Sequence, residues 1–256
     1  MKKVTKSVLT FLIVFITIYS SCGIFSPGED AYLKHYAKAN GYFTQNQPEK
    51  AIPHYKKTIK SKENFDPAYH ELAVCYQQIG EADSAIVYYM GAIVHNAKNV
   101  DAYQSIGNLY YVSGNVDEAL IWYDRGSEVD YLYPKTYQNM ATIWYQRGNF
   151  KMARKYFNQA IAVDATYPRA YYGLGLLAFI EKDYKEAEAK FNDAINVGSM
   201  PEAIYMLGEM YFEMGEKEKA YVWYRKYLDK VPEGTYSQKA KDQMLLLEQE
   251  LPIDGG

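Results

Sequence analysis

Two cysteines in 256 residues, Cys22 and Cys75, leave this chain little scope for covalent stapling. Histidine is also sparse. His35, His54, His70 and His95 are scattered, and none has a second ligand at metal spacing. His70-Glu71 is followed by Leu-Ala-Val, so the zinc-protease H-E-x-x-H is not formed. There is no glycine-rich phosphate loop and no Ser/His/Asp arrangement. Net charge is −3, and no basic run extends beyond the extreme N-terminus, which argues against a nucleic-acid partner. These absences predict no enzyme activity, no metal and no cofactor. Cys75, between Val74 and Tyr76, reads as a small buried hydrophobe rather than a nucleophile. What the chain does have is tyrosine, 28 residues against 10 Phe and 3 Trp, within a hydrophobic fraction of 48%. A surplus of flat, amphipathic side chains suits a packed core or a contact surface.

The first 21 residues read as a leader. Lys2, Lys3 and Lys6 precede an apolar run from Val8 to Ile18, which is too short to span a bilayer comfortably. Tyr19-Ser20-Ser21-Cys22-Gly23 then resembles the lipobox of bacterial lipoproteins, with Tyr19 where that family usually has Leu. The resemblance implies cleavage before Cys22 and lipid attachment to its thiol. The alternatives are an ordinary exported protein cut nearby and an uncleaved anchor. Loss of the three lysines would take the net charge from −3 to about −6 and leave Cys75 as the sole cysteine. Two acyl chains suffice for stable membrane anchoring. Residues 22–31 read as a tether, and Gly23 rather than Asp after the cysteine fits outer-membrane sorting.

From residue 32 the chain repeats itself. Ala51, Ala85, Ala119, Ala153, Ala187 and Ala220 are spaced by 34, 34, 34, 34 and 33 residues. Four residues beyond each stands an aromatic: Tyr55, Tyr89, Tyr123, Phe157, Phe191 or Tyr224. Twelve before each stands a small residue: Ala39, Ala73, Gly107, Ala141, Gly175 or Gly208. Apolar positions within each unit fall at helical spacing. Gly80, Gly114, Gly148 and Gly215 mark the ends of first helices, where a left-handed residue is needed, and repeat five has Lys182 there. Asp83, Asn115, Asn149 and Asp183 are suited to cap or precede the second helices, and Pro67, Pro134, Pro168 and Pro201 to open the first.

This pattern resembles the tetratricopeptide repeat, W-x2-L-G-x2-Y…A-x3-F, over about Tyr32 to Val231. The resemblance implies an all-α, right-handed solenoid of six helix–turn–helix repeats over 32–234, whose stacked neighbours share one core. Residues 235–251 read as a solvating C-terminal helix, opened by Thr235-Tyr-Ser-Gln238 as a capping box, and 252–256 as a tail. In this family the first helix of each repeat lines a concave groove. Its positions here give Gln104, Asn108 and Tyr111 in repeat three, and Gln138, Asn139, Thr142 and Tyr145 in repeat four. Repeat five gives Arg169, Tyr172, Leu176 and Phe179, and repeat six gives Tyr205 and Phe212. Amides flanked by aromatics suit an extended peptide. Asn108, Asn139 and Arg169 match three of the five positions of the carboxylate clamp of co-chaperones. Gln104 and Gly173 stand where its other two cations belong. The alternative is that Tyr172, Leu176, Phe179 and Ile180 simply pack against neighbouring helices or the solenoid's own ends.

The function expected is therefore a lipid-anchored adaptor of the bacterial envelope, its repeats facing the periplasm and holding a protein or peptide. Its build is similar to type IV pilus pilotins and other repeat lipoproteins. An accessory protein that captures a small apolar ligand for a transporter is the second expectation, with Tyr172, Phe179 and Phe212 as candidate lining.

Overall fold

The computed structural model describes residues 29–250. The leader, Cys22, the tether before residue 29 and the tail beyond Glu250 lie outside the described residues. Thirteen α-helices and no strand are found among the described residues. In the order of the repeats, the first helices are α1 (Glu29–Thr44), α3 (Asp66–Gln78), α5 (Val100–Val112), α7 (Pro134–Gln146), α9 (Pro168–Ile180) and α11 (Pro201–Glu213). The second helices are α2 (Pro48–Ser61), α4 (Ala82–His95), α6 (Val116–Val129), α8 (Phe150–Val163), α10 (Tyr184–Gly198) and α12 (Lys217–Lys230). A final helix, α13, covers Ser237–Glu250.

The chain divides between Asn115 and Val116 into two compact units, each a stack of helical hairpins. The division falls inside repeat three, where the sequence predicts an unbroken stack. A repeat array has only nearest-neighbour contacts, so a boundary of compactness can fall between any two helices. In the first unit α1 packs on α2 and α3 on α4, around Ala39, Ala51, Tyr55, Ala68, Leu72 and Cys75. In the second, α7/α8, α9/α10 and α11/α12 form hairpins, and α13 packs on α12. One core there gathers Ala141, Ala153, Phe157 and Leu174. The other gathers Phe191, Leu207, Met210, Tyr224 and Leu247.

The columns read from the sequence form this interior. All six alanines of the 34-residue series are 0% exposed, and the six aromatics that follow them are at most 5% exposed. Each large side chain buried this way stabilises by about 1.5–3 kcal/mol. The small column is sterically required at Gly208, where a Cβ would stand 2.6 Å from the Tyr224 ring. Burial also pushes the Cys75 thiol up to about 12, which keeps it protonated and unreactive at neutral pH.

The helix ends follow local chemistry. Pro134, Pro168 and Pro201 each occupy a first turn, where the missing N–H costs nothing. Asn149 and Asp183 cap α8 and α10 by accepting from Met152 N and Glu186 N. Lys182 takes the left-handed turn that glycine takes elsewhere, at φ +60°. The capping box expected at Thr235 is not made, because α13 starts at Ser237. The Ser237 hydroxyl donates instead to Val231 O, and Gln238 Nε2 donates to Asp242.

Candidate functional site

The second unit carries a cleft of about 350 Å³ on the face of its first helices. Helical spacing builds it. Gln138, Thr142, Tyr145 and Gln146 fall within a sector of about 100° on α7, and so share one face. Arg169, Tyr172, Gly173 and Leu176 do the same on α9. Glu202 opens α11, and Met200, Phe157 and Tyr236 complete the lining.

The polar wall is pre-arranged. Gln138 Nε2 donates to Thr142 Oγ1 at 3.0 Å, and the Thr142 hydroxyl donates to Gln138 O at 2.9 Å. Tyr167 Oη donates to Gln138 Oε1 at 3.2 Å, fixing which way the amide faces. Arg169 is exposed and makes no ion pair among the described residues, so its five donors face solvent at the rim. Tyr145 and Tyr172 form the aromatic walls. Burial raises both phenol pKa values, and the carboxylate of Glu202 adds to the rise at Tyr172. Both hydroxyls are therefore neutral hydrogen-bonding groups at any physiological pH.

The floor depends on an absence. A Cβ on Gly173 would overlap the tip of the Phe157 ring, so any larger residue here would push that ring from its place under the cleft. One end is closed by a segment outside the repeats. Tyr236 lies in the turn before α13 and stacks on Tyr205, with ring centroids 4.5 Å apart and planes 9° from parallel. Lys239 and Glu209 hold this segment down, Lys239 Nζ donating to Glu209 Oε2 at 2.8 Å, while Tyr224 Oη donates to Oε1 at 2.7 Å. Burial opposes ionisation of Glu209, yet the bonds donated by Lys239 and Tyr224 outweigh it and hold its pKa below the ordinary glutamate value.

Six of the residues expected in the groove thus come together: Gln138, Thr142, Tyr145, Arg169, Tyr172 and Leu176. Asn139 is half-buried on α7 and is not part of the lining. Two of the expected residues are buried. Tyr205 is 2% exposed because Tyr236 covers it, and Gln104, in the first unit, is also 2% exposed. Phe179 and Phe212 pack half-buried against the core of the second unit, Phe179 beside the Tyr184 ring, and neither reaches the cleft. Asn108 and Tyr111 are half-buried on α5, in the first unit. Phe157, Met200 and Tyr236 escaped the sequence reading. Phe157 looks like a pure packing residue in its column, and Tyr236 follows the last repeat, where no periodicity points to it.

Two sequence profiles of the tetratricopeptide repeat match the chain, one over residues 139–201 and another over 66–93 and 201–229. The protein therefore carries tetratricopeptide repeats, and its all-α hairpin architecture is of that type. No curated protein sequence matches it. Among solved structures it is similar to PilF of Pseudomonas aeruginosa, at 18% identity and TM-score 0.68, covering 85% of this chain and 100% of that one. It is similar to PilW, a widely conserved type IV pilus biogenesis factor, at 17% identity and TM-score 0.65, covering 82% and 98%. It is also similar to YrrB, a repeat protein with an unusual peptide-binding site, at 21% identity and TM-score 0.54, covering 73% and 97%. At these identities the likeness is one of fold.

Proposed function

We propose that this protein is a lipid-anchored adaptor of the bacterial envelope that holds an extended peptide segment of a partner protein in the cleft of its second unit. The observation that carries the reading is the cleft itself. Its oriented amide–hydroxyl pair, Gln138 and Thr142, stands beside the tyrosine walls and a rim arginine without a partner. A peptide backbone offers the donors and acceptors that the amide wall needs, and aromatic walls take side chains at small entropic cost. The leader and Cys22 support attachment to a membrane, with the repeats on the periplasmic side of the outer membrane. The likeness to PilF and PilW supports a part in assembling an envelope structure, by analogy of build alone.

The test has two parts. Mass spectrometry of the chain from its native membrane should find a diacylglyceryl group on Cys22, and Cys22→Ser should release the protein into the soluble fraction. A photo-crosslinker at Gln146 should capture a discrete protein, and Tyr145→Ala with Tyr172→Ala should abolish the product. If the crosslinked species is unchanged in the double variant, the cleft is not the binding surface.

One observation favours a second reading. A volume of about 350 Å³ with one end closed lies within the range of small-molecule sites. An apolar molecule retained in native mass spectra, and lost with Tyr172→Ala, would select that reading over the peptide.

A further inference from the structure

The first hairpin differs from the rest of the chain in charge. Residues 29–65 hold seven lysines against Glu29, Asp30, Glu49 and Glu63, a net of +3, whereas residues 66–250 hold 18 basic against 26 acidic side chains, a net of −8. Such segregation is absent from the overall value of −3. On α2 the lysines are also segregated in space. At 3.6 residues per turn, Lys50, Lys56, Lys57 and Lys60 fall within a sector of about 120°. All four are exposed, and the opposite side of the helix buries Ala51, Tyr55 and Thr58.

Beside this basic face lies an apolar one. Val87, Met90 and Val94 on α4, spaced i, i+3 and i+7, are 63%, 44% and 78% exposed. Between the two helices is a pocket of about 380 Å³. Lys56 and Lys60 of α2 stand on one side, Tyr88 and His95 of α4 on the other, with Tyr69 of α3 and the acidic Glu63 completing it. Nothing in the hairpin packing requires three aliphatic side chains to face water here. Basic side chains next to an exposed aliphatic stripe are the pattern of a surface that lies on a lipid interface. A soluble polyanion would use the lysines but not the valines.

We propose that this outer face of the first unit docks on an anionic phospholipid surface. The lysines face the headgroups, Val87, Met90 and Val94 reach the acyl boundary, and the pocket seats one anionic headgroup between Lys56 and Lys60. The position in the chain agrees. Glu29 is seven residue steps from Cys22, at most about 25 Å when fully extended, so a lipid on Cys22 would hold this hairpin within reach of the bilayer. The docking draws on the proposed lipid anchor only for local concentration, and it is independent of the cleft in the second unit.

The experiment uses the full chain carrying Cys22→Ser, which has no lipid, and measures co-sedimentation with vesicles. One set contains about one-third phosphatidylglycerol in phosphatidylethanolamine, and the other is phosphatidylcholine alone. Each lysine near an anionic surface is worth about fivefold in partitioning, so Lys50, Lys56, Lys57 and Lys60→Gln together should weaken binding to the anionic vesicles on the order of 10²–10³-fold. Raising salt from about 0.1 to about 1 M, which shortens the screening length from about 10 to about 3 Å, should abolish the parent's preference for phosphatidylglycerol. Val87→Ser, Met90→Ser and Val94→Ser should together weaken binding to a smaller extent that salt does not alter. The leader is common to all variants and cancels in the comparison, and the salt titration needs no variant at all. Equal binding of parent and lysine variant overturns the proposal. So does a parent indifferent to phosphatidylglycerol, or a lysine variant that keeps its vesicle binding but loses a crosslinked acidic protein. Crosslinking through Gln146 should survive in the lysine variant. Its loss there would count against the cleft, while failure of the vesicle assay alone would leave the cleft standing.

Discussion

Lys182 occupies a backbone position that four other repeats give to glycine, and replacing it should stabilise the protein. Its φ is +60°, against +82°, +82°, +71° and +75° at Gly80, Gly114, Gly148 and Gly215. The turn is otherwise the same. Lys182 N donates to Phe179 O at 3.0 Å and Asp183 N to Ala178 O at 2.9 Å, as Gly148 N donates to Tyr145 O at 3.0 Å and Asn149 N to Trp144 O at 2.9 Å. A Cβ in the left-handed region costs about 1–2 kcal/mol. Glycine gives back about 0.4–1 kcal/mol through the greater freedom of the unfolded chain. The side chain contributes little: Lys182 Nζ lies 3.8 Å from Glu213 Oε1, in a pair 72% and 42% exposed, which is worth a few tenths of a kcal/mol at most. Lys182→Gly should therefore stabilise by about 0.5 kcal/mol, and Lys182→Ala should destabilise slightly by losing the ion pair while keeping the Cβ. The gap between the two variants, about 0.5–1 kcal/mol, isolates the backbone term. Denaturant midpoints at constant m would measure it, with a matching gap of about 1–3 °C in melting temperature. Glycine and alanine variants of equal stability would refute the argument, since that result would mean the left-handed penalty at this turn does not exceed the entropic cost of glycine.

Gly173→Ala should force Phe157 out of its place under the cleft, at a cost of about 1–3 kcal/mol from overpacking, with weaker ligand capture; unchanged thermal stability together with unchanged crosslinking at Gln146 would contradict the assigned floor. Tyr236→Ala removes the stack on Tyr205, worth about 0.5–1.5 kcal/mol, and should speed hydrogen exchange in α13 while leaving α7 and α8 unaffected. Glu209 has a depressed folded pKa, so its contribution is complete above the ordinary value of 4.5 and is lost as pH falls through the lower folded value. Attachment of α13, followed by hydrogen exchange, should therefore weaken in acid below about 4.5, and Glu209→Gln should remove that pH dependence; a variant with the parent's acid profile would assign it elsewhere.

The repeat was legible because its rules are local and periodic. A buried alanine followed four residues later by an aromatic needs only a helix and a neighbour, and all six pairs are found in the interior. Gly148 and Pro168 likewise act through their own backbone, and Asn149 through a side-chain oxygen that accepts from Met152 N three residues on. The groove was legible to the extent that it obeys the same period, as Gln138, Thr142, Tyr145, Tyr172 and Leu176 do. Legibility failed where a neighbour outside the period intervenes. Tyr205 holds a groove position in register with Tyr172, but the segment after the last repeat folds back and lays Tyr236 on it. The displaced start of α13 has the same origin, since Ser237 finds Val231 O rather than a capping partner. Phe157 was read as packing because a column of aromatics carries no sign of which ring tip reaches a surface.

That ring tip bears on why the cleft forms at one place along a regular array. In three of the repeats whose column is tyrosine, the hydroxyl reaches across to the first helix and occupies a polar side chain there: Tyr55 donates to Asn40, Tyr89 to Gln77 and Tyr224 to Glu209. Each bond ties up a group that could otherwise meet a ligand. At repeat four the column holds phenylalanine. Phe157 has no hydroxyl to give, and the residue in register with Asn40 and Glu209 is Thr142, which bonds within its own helix. At repeat five the column is again phenylalanine, Phe191, and the corresponding position is Leu176. The two repeats without the hydroxyl are those whose first helices supply most of the cleft lining, with Glu202 of α11 the one residue from a repeat whose column is tyrosine. Loss of one oxygen in the core column thus frees the groove above it, and Gly173 gives the bare ring room to form the floor. Under the proposed function, selectivity in this array belongs to the places where one repeat differs from the next: Phe157 and Phe191 among tyrosines, and the non-repeat tyrosine that closes the end.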